Sequence, residues 1–196
     1  MVGPAHFQGN ALKTLIYILF VAVMFSIPAA SRADESQPWV LVDTESNSLT
    51  VFSANDKVMA RFNNIAIGSG GTAKEHLRGD DTTPLGTFHI AWINRHSRFG
   101  TFFGLDYPGP DLTIRAYIDG VITETEFNRF IVAFRHHTLP PQNTGLGGQI
   151  GIHGLGSGNP RVQDAVDWTD GCVAVTNHEI GLLKRWLHIG TKVVIR

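Results

Sequence analysis

The sequence predicts a mainly β fold with a few short helices, and three observations carry that prediction. Glycine is abundant, at 21 of 196 residues, and only 17% of the chain is charged. Gly, Asn, Asp and Pro cluster at short intervals, where they supply the backbone conformations of tight turns. Between those clusters lie short runs of Val, Thr, Phe and Ile, the residues that pack well on a pleated, half-buried surface. A hydrophobic content of 43% suits one domain with a real core, plus an appendage. The net charge is −1 and no basic stripe is present, so nucleic acid is not an expected partner.

The appendage is the N-terminus. Lys13 precedes an apolar run from Leu15 to Ile27, interrupted only by Ser26, and small residues follow through Ala33. This is the pattern of an export signal over residues 1–33, with a polar leader at 34–38 and the domain at 39–196. The apolar run is short for a transmembrane helix, which needs about 20 residues. Cleavage of the signal would leave a chain without stable membrane insertion, and an uncleaved anchor is the alternative. The chain is therefore expected to be exported. No oligomer surface is evident.

Taken in order, residues 39–43 (WVLVD) read as a strand, 45–48 as a turn, and 49–53 (LTVFS) as the returning strand. A turn at 55–57 leads to a strand at 58–63. Residues 64–69 read as a further strand, ending in a Gly68-Ser69-Gly70-Gly71 cluster. No Lys-Ser/Thr pair follows it, so a flexible loop is expected rather than a phosphate cradle. Turn chemistry fills Gly79-Asp80-Asp81 and Pro84-Leu85-Gly86, and 87–93 (TFHIAWI) reads as a strand. Residues 94–110 read as a loop rich in Arg and aromatics. They either cap the core or line a substrate groove.

Thr123 and Glu126 have capping-box spacing, and Phe127, Phe130, Ile131 and Phe134 share one helical face. Residues 138–148 form a long turn-rich connection with the character of a lid. A short strand at 149–153 delivers His153 to a glycine turn, and 159–166 has room for one or two helical turns. Residues 168–175 place Cys172 at the start of an apolar strand. Thr176 and Glu179 cap a helix running to about residue 187, and 191–196 closes the chain as a strand.

Chemistry concentrates in residues 150–177. Cys172 is the only cysteine, and His153 lies upstream in a glycine-rich setting. A histidine that reaches a thiol can take its proton and make a nucleophile. Backbone N–H groups around Asp170-Gly171-Cys172 could then hold an oxyanion. The residues alone leave a second reading open, in which Cys172 is a buried inert thiol and His153 a turn residue. His76, Asp80, Asp81 and His89 could with His153 serve a metal. Nothing has the spacing of an HExxH or Cys/His zinc site, so no metal is expected.

The segment IHGLGS…WTDGCVAVTN resembles the signature of the YkuD L,D-transpeptidase family: His-Gly, a spacer, then Ser/Thr-x-Gly-Cys-apolar. His153-Gly154 and Thr169-Asp170-Gly171-Cys172-Val173 carry the match. Upstream, GDDTTPLGTFHI resembles the family's Gly-Asp-x-x-Thr-Pro-x-Gly-x-aromatic-x-Ile block. The resemblance covers residues 39–196. It implies a YkuD-like β-rich catalytic fold in the bacterial envelope, with no cofactor. It implies Cys172 as acyl-accepting nucleophile and His153 as its base, with the Gly154 carbonyl orienting the ring. Thr169, Asp170 and Gly171 would shape the nucleophile loop.

The implied substrate is the peptidoglycan stem peptide. It would be cut after the L-centre of its third residue, with release of a terminal D-alanine and transfer of the acyl group to an amine. Many members carry Arg two residues after the cysteine, where this chain has Ala174. Substrate anchoring would then fall to other groups, with Arg95, Arg98, Arg135, His136 and His137 as candidates. The GCVAVTN version resembles a subgroup that includes hydrolases. An L,D-specific peptidase or amidase with water as acceptor is therefore the near alternative, and a non-catalytic wall-binding module the distant one.

Overall fold

The computed structural model describes residues 37–196, and the expected signal and most of the leader lie outside the described residues. Ten strands, β1 (Trp39–Asp43), β2 (Ser48–Phe52), β3 (Val58–Asn63), β4 (Thr72–Ala73), β5 (Thr83–Pro84), β6 (Gly86–Ser97), β7 (Gly100–Leu105), β8 (Gly151–His153), β9 (Val173–Ala174) and β10 (Lys192–Ile195), outnumber four short helices. The helices are α1 (Pro110–Ile118), α2 (Glu124–Arg135), α3 (Pro160–Gln163) and α4 (Asn177–Leu183). The expected mainly β class is what is found. Eight strands form one sheet in the order β3-β2-β1-β10-β6-β7-β8-β9, and β4 and β5 pair separately.

Sequence alternation sets the faces. Val40 and Val42 of β1 are fully buried, as is Val193 of β10. The two strands run parallel with Val40 opposite Val193 and Val42 opposite Ile195, so the last strand completes the core beside the first. The capped helices form as their spacing predicts. Thr123 and Glu126 close a reciprocal capping box on α2, and Thr176 and Glu179 do the same on α4. Each cap satisfies N–H groups that a helix start otherwise leaves unpaired, typically about 1 kcal/mol. Phe130 of α2 and Leu183 of α4 are fully buried, each contributing roughly 1.5–3 kcal/mol by leaving water.

Three sequence expectations are corrected. Residues 94–105 are not a loop: β6 continues to Ser97, turns, and returns as β7, with Ile93 opposite Phe103 and Ser97 opposite Gly100. Phe102, Phe103 and Leu105 there are buried core residues. Their aromatic, basic surroundings hid the strand pattern. Residues 64–69 make no regular strand but touch the sheet through single bridges, Ala66 to Ala174 and Gly68 to Thr169. The glycine cluster that follows is pinned rather than loose. Gly70 N–H donates to Asp81 O, Ser69 N–H to Thr169 O and Thr83 N–H to Gly71 O. A Cβ at Gly68 or Gly70 would collide with the backbone of Asp80 and Asp81. These glycines allow close approach of two segments.

Candidate active site

Cys172 directly precedes β9, and His153 ends β8. The two strands run parallel with Ile152 opposite Val173 and His153 opposite Ala174. Side chains alternate along a strand, so the line of β9 carries Cys172 and Ala174 on the face that holds His153. Gly151, which lies two residues before His153 on the same face, adds no side chain. A Cβ there would sit 2.6 Å from Phe102 Cε1.

His153 is buried. Its Nδ1 lies 2.7 Å from the Gly154 carbonyl oxygen. A carbonyl only accepts, so Nδ1 carries the proton and Nε2 keeps its lone pair. Phe99 stacks on the ring at 4.3 Å between centroids, Phe102 lies at 5.8 Å, and Trp168 meets it edge-on at 5.8 Å. Burial therefore lowers the His153 pKa below the ordinary 6.5; the Gly154 bond opposes this, and the nearby Arg98 adds to it. Phe99 and Phe102 come from the β6–β7 hairpin. Its tip is held against the His153 turn, since a Cβ at Gly154 would meet Phe99 O at 2.9 Å.

Cys172 is half-buried, and its thiol donates to Gln149 O at 3.3 Å. Burial pushes the thiol pKa up to about 12, with the Asp170 charge adding to the shift and a Gly151 backbone hydrogen bond opposing it. The raised Cys172 pKa and the lowered His153 pKa both favour the uncharged forms of these two groups.

The turn before Cys172 is tied at Thr169 and Gly171. Thr169 Oγ1 donates to Cys172 O at 2.6 Å and accepts from Gly171 N–H at 3.2 Å. Thr83 Oγ1 donates to Gly171 O at 3.0 Å and accepts from Gly68 N–H at 2.8 Å. Gly171 has φ +118, and a Cβ there would meet Thr82 O at 2.6 Å. The upstream Gly79–Ile90 block therefore touches the cysteine turn through Thr82 and Thr83. Asn177 clamps the turn after His153, accepting from Gly156 N–H at 2.8 Å and donating to Gly156 O at 2.7 Å.

The other sequence candidates fall differently. The Arg98 guanidinium lies 4.6 Å above the Phe99 ring, one ring removed from His153. Arg95 is exposed on β6. His137 is exposed just past α2 with φ 51. Ala174 is fully buried, and its carbonyl accepts from Gln163 Nε2 at 2.9 Å. Among the described residues no group of three His, Cys, Asp or Glu side chains is arranged to hold a metal. His89 instead pairs with Asp106 at 3.2 Å, and His76 with Asp80 at 2.9 Å. No described helix is long and apolar enough to cross a membrane. The sequence reading weighed His76 only as a metal ligand, and it missed the Thr83 bonds, the aromatic enclosure of His153 and the Asn177 clamp. Only the Thr-Thr-Pro block and the Phe-rich stretch hinted at them.

Solved structures share this fold. One is Bd1075 of Bdellovibrio bacteriovorus, at 20% identity and a TM-score of 0.51, matched over 82% of this chain and 48% of that one. Another is the helical cell shape determining protein Pgp2 of Campylobacter jejuni, at 19% identity and a TM-score of 0.55, over 83% of this chain and 48% of that one. The match thus spans about half the length of each. Among curated proteins none matches. The model of the YkuD family, the L,D-transpeptidase catalytic domain, matches residues 37–195, and the chain belongs to that family.

Proposed function

We propose that this protein is an exported cysteine acyltransferase, an L,D-transpeptidase that acts on peptidoglycan stem peptides through a Cys172 thioester. The observation that carries the reading is the His153 ring, whose Nδ1 is committed to Gly154 O at 2.7 Å while Nε2 is left as a base beside the sheet line of Cys172. The family match supports the reaction class, and the apolar N-terminal run supports export.

In this mechanism Sγ attacks the carbonyl carbon of the scissile amide as its proton passes to His153 Nε2. The tetrahedral oxyanion collapses and the C–N bond breaks. The leaving amine takes the proton back from His153, and the acyl group stays on sulfur as a thioester. An incoming amine then attacks the thioester, gives its proton to Nε2, and displaces the thiolate, which recovers that proton. Thr169, Asp170 and Gly171 hold the turn that aims Sγ, and the Gly154 carbonyl stabilises the imidazolium as it forms. Arg98 is the favoured anchor for a substrate carboxylate, because it borders the His153 enclosure; Arg95 and His137 are more remote candidates. Water in place of the amine makes the same site a hydrolase.

Mass spectrometry of muropeptides incubated with residues 34–196, against the Cys172→Ala variant, tests the reading. Cross-linked or D-amino-acid-exchanged products made only by the wild type are expected. Products that are only shortened or unlinked would assign the hydrolase. No new product, with wall binding kept by both proteins, would assign a binding module and overturn the enzyme reading.

A further inference from the structure

Gln163, the last residue of α3, is a neutral amide with only 4% of its surface exposed, and the mechanism above does not use it. Burying an amide is costly unless its donors and its acceptor find partners. Here they do. Nε2 donates to Asn64 O at 3.0 Å and to Ala174 O at 2.9 Å, and Oε1 accepts from Trp168 Nε1 at 2.9 Å. Two carbonyls on one side and an indole N–H on the other leave one orientation for the amide. Ala174 is the residue opposite His153 in the β8–β9 register. One side chain thus ties β9 to the segment that carries Trp168.

The chain is held on both sides of Trp168. Asp167 Oδ1 accepts from Ile67 N–H at 2.9 Å, and Thr169 N–H donates to Ile67 O at 3.1 Å. These bonds fix the backbone and leave the indole free to turn about its own side-chain bonds. Its one polar group is a donor, so the partner of Nε1 decides where the ring lies. With Nε1 on Gln163, the ring meets His153 edge-on at 5.8 Å and Phe99 at 6.2 Å. Phe99 and Phe102 lie roughly parallel to the imidazole, at 24° and 11°, and have no polar atom to steer them. Trp168 is therefore the wall of the His153 enclosure whose position a hydrogen bond sets. Arg98 is the charged group that bears on the imidazole. Asp167 is committed to Ile67, Asp170 bears on Cys172, Glu179 of α4 is committed to its cap, and His178 beside it is exposed.

We propose that Gln163 is a positioning residue of the active site: by holding Trp168 Nε1 it keeps the edge of the indole on His153 and so keeps water from the imidazole. The role rests on the acyl-transfer reading above and deepens it, since it assigns a group that controls the base without touching substrate. Without the amide oxygen, a part-buried indole N–H is left unpaired. Turning the ring towards water restores that bond and uncovers His153. Less burial raises a histidine pKa that burial had lowered.

A histidine NMR titration of the protein tests this, with the His153 signal assigned by its loss in His153→Gln. In Gln163→Leu the His153 midpoint is expected to move up towards 6.5, and the acid limb of carbapenem acylation of Cys172 with it. Trp168→Phe keeps an aromatic ring but no N–H, and should give the same upward move with the bonds from Gln163 to Asn64 and Ala174 intact. The double variant should move no further than either single one, because the same contact is lost in all three. If Gln163→Leu does not fold, the Trp168→Phe titration decides alone. A midpoint that stays in place in either variant, or shifts that add in the double variant, overturn the inference and leave the acyl-transfer reading standing. Wild-type Cys172 that a carbapenem never acylates overturns that reading, and the role given to Gln163 with it.

Discussion

His153 donates its Nδ1 proton to the carbonyl oxygen of the very next residue, Gly154, across 2.7 Å. That bond fixes both the tautomer and the ring plane. It also requires the backbone at Gly154 to pack tightly, because a Cβ there would sit 2.8 Å from Asn177 Oδ1 and from Ile180 Cγ2. His153→Gln keeps an amide in the same space but supplies no base. Carbapenem acylation of Cys172 should then fall by at least about 100-fold, the usual weight of a general base. Circular dichroism should show the fold retained. An acylation rate within a few-fold of wild type would remove His153 from the role of base.

The pH dependence follows from burial. In its proposed role as base His153 works only when neutral, and burial holds it below the ordinary 6.5. The acid limb of the acylation rate should therefore have its midpoint below 6.5, with the rate rising as pH rises through it. Stability has the same sign. As pH falls below the unfolded value, the unfolded ring takes a proton that the folded ring resists, so stability declines until the folded pKa is passed. His89 acts oppositely. The Asp106 hydrogen bond raises its pKa, so its contribution is present below 6.5 and lost as pH rises through the folded value; exposure keeps it small. A rate profile centred above 6.5 would contradict the burial account.

Phe99 tests the cause of that shift. Its ring covers His153 at 4.3 Å and carries Arg98 on the other side. Phe99→Ala should admit water and loosen the hold on Arg98. Both changes raise the His153 pKa, so the acid limb should move up towards 6.5. A limb that stays in place would show that the depression originates in the deeper packing of Phe102 and Trp168.

Much of this was legible in the chain. The capping boxes at Thr123 and Thr176 gave both capped helices, because cap chemistry is local. The short runs bounded by turn residues at 39–43 and 58–63 gave β1 and β3, where Val40, Val42 and Phe62 are buried. The β6–β7 hairpin was not legible, since Phe102 and Phe103 are buried on opposite faces and leave no polar alternation to read. Cys172 and His153 stood out as candidates from the glycine-rich setting and from resemblance. The support beneath them was not legible: Thr83 to Gly171 spans 88 residues, and a histidine such as His76 looks the same in sequence whether it faces solvent or a buried turn.

Gly171 holds a backbone that a side chain resists. Its φ is +118, and an added Cβ would meet Thr82 O at 2.6 Å, Ile150 Cδ1 at 3.1 Å and His76 Cε1 at 3.2 Å. Gly171→Ala should destabilise the fold by about 1–3 kcal/mol, the range for a residue forced into a sparsely populated conformation. Urea denaturation would measure it. Acylation should fall further than stability alone explains, because relief of the clash must displace the turn that carries Sγ.

Thr169 supplies the last test, because one hydroxyl serves two bonds inside the cysteine turn. Its Oγ1 donates to Cys172 O at 2.6 Å and accepts from Gly171 N–H at 3.2 Å. Thr169→Val keeps the branched shape and removes both. The Cys172 carbonyl and the buried Gly171 N–H then lose their partner, at a cost of about 1–3 kcal/mol for each buried group left unsatisfied. The turn can recover part of that by rotating its peptides towards solvent. Such a rotation moves Sγ away from Gln149 O and from the line of His153. The expected result is a loss in kcat with KM nearly unchanged, since the variant touches no group proposed to hold the substrate. Thr169→Ser restores the hydroxyl and should restore kcat. A rise in KM at constant kcat would instead make Thr169 a contact for the peptide.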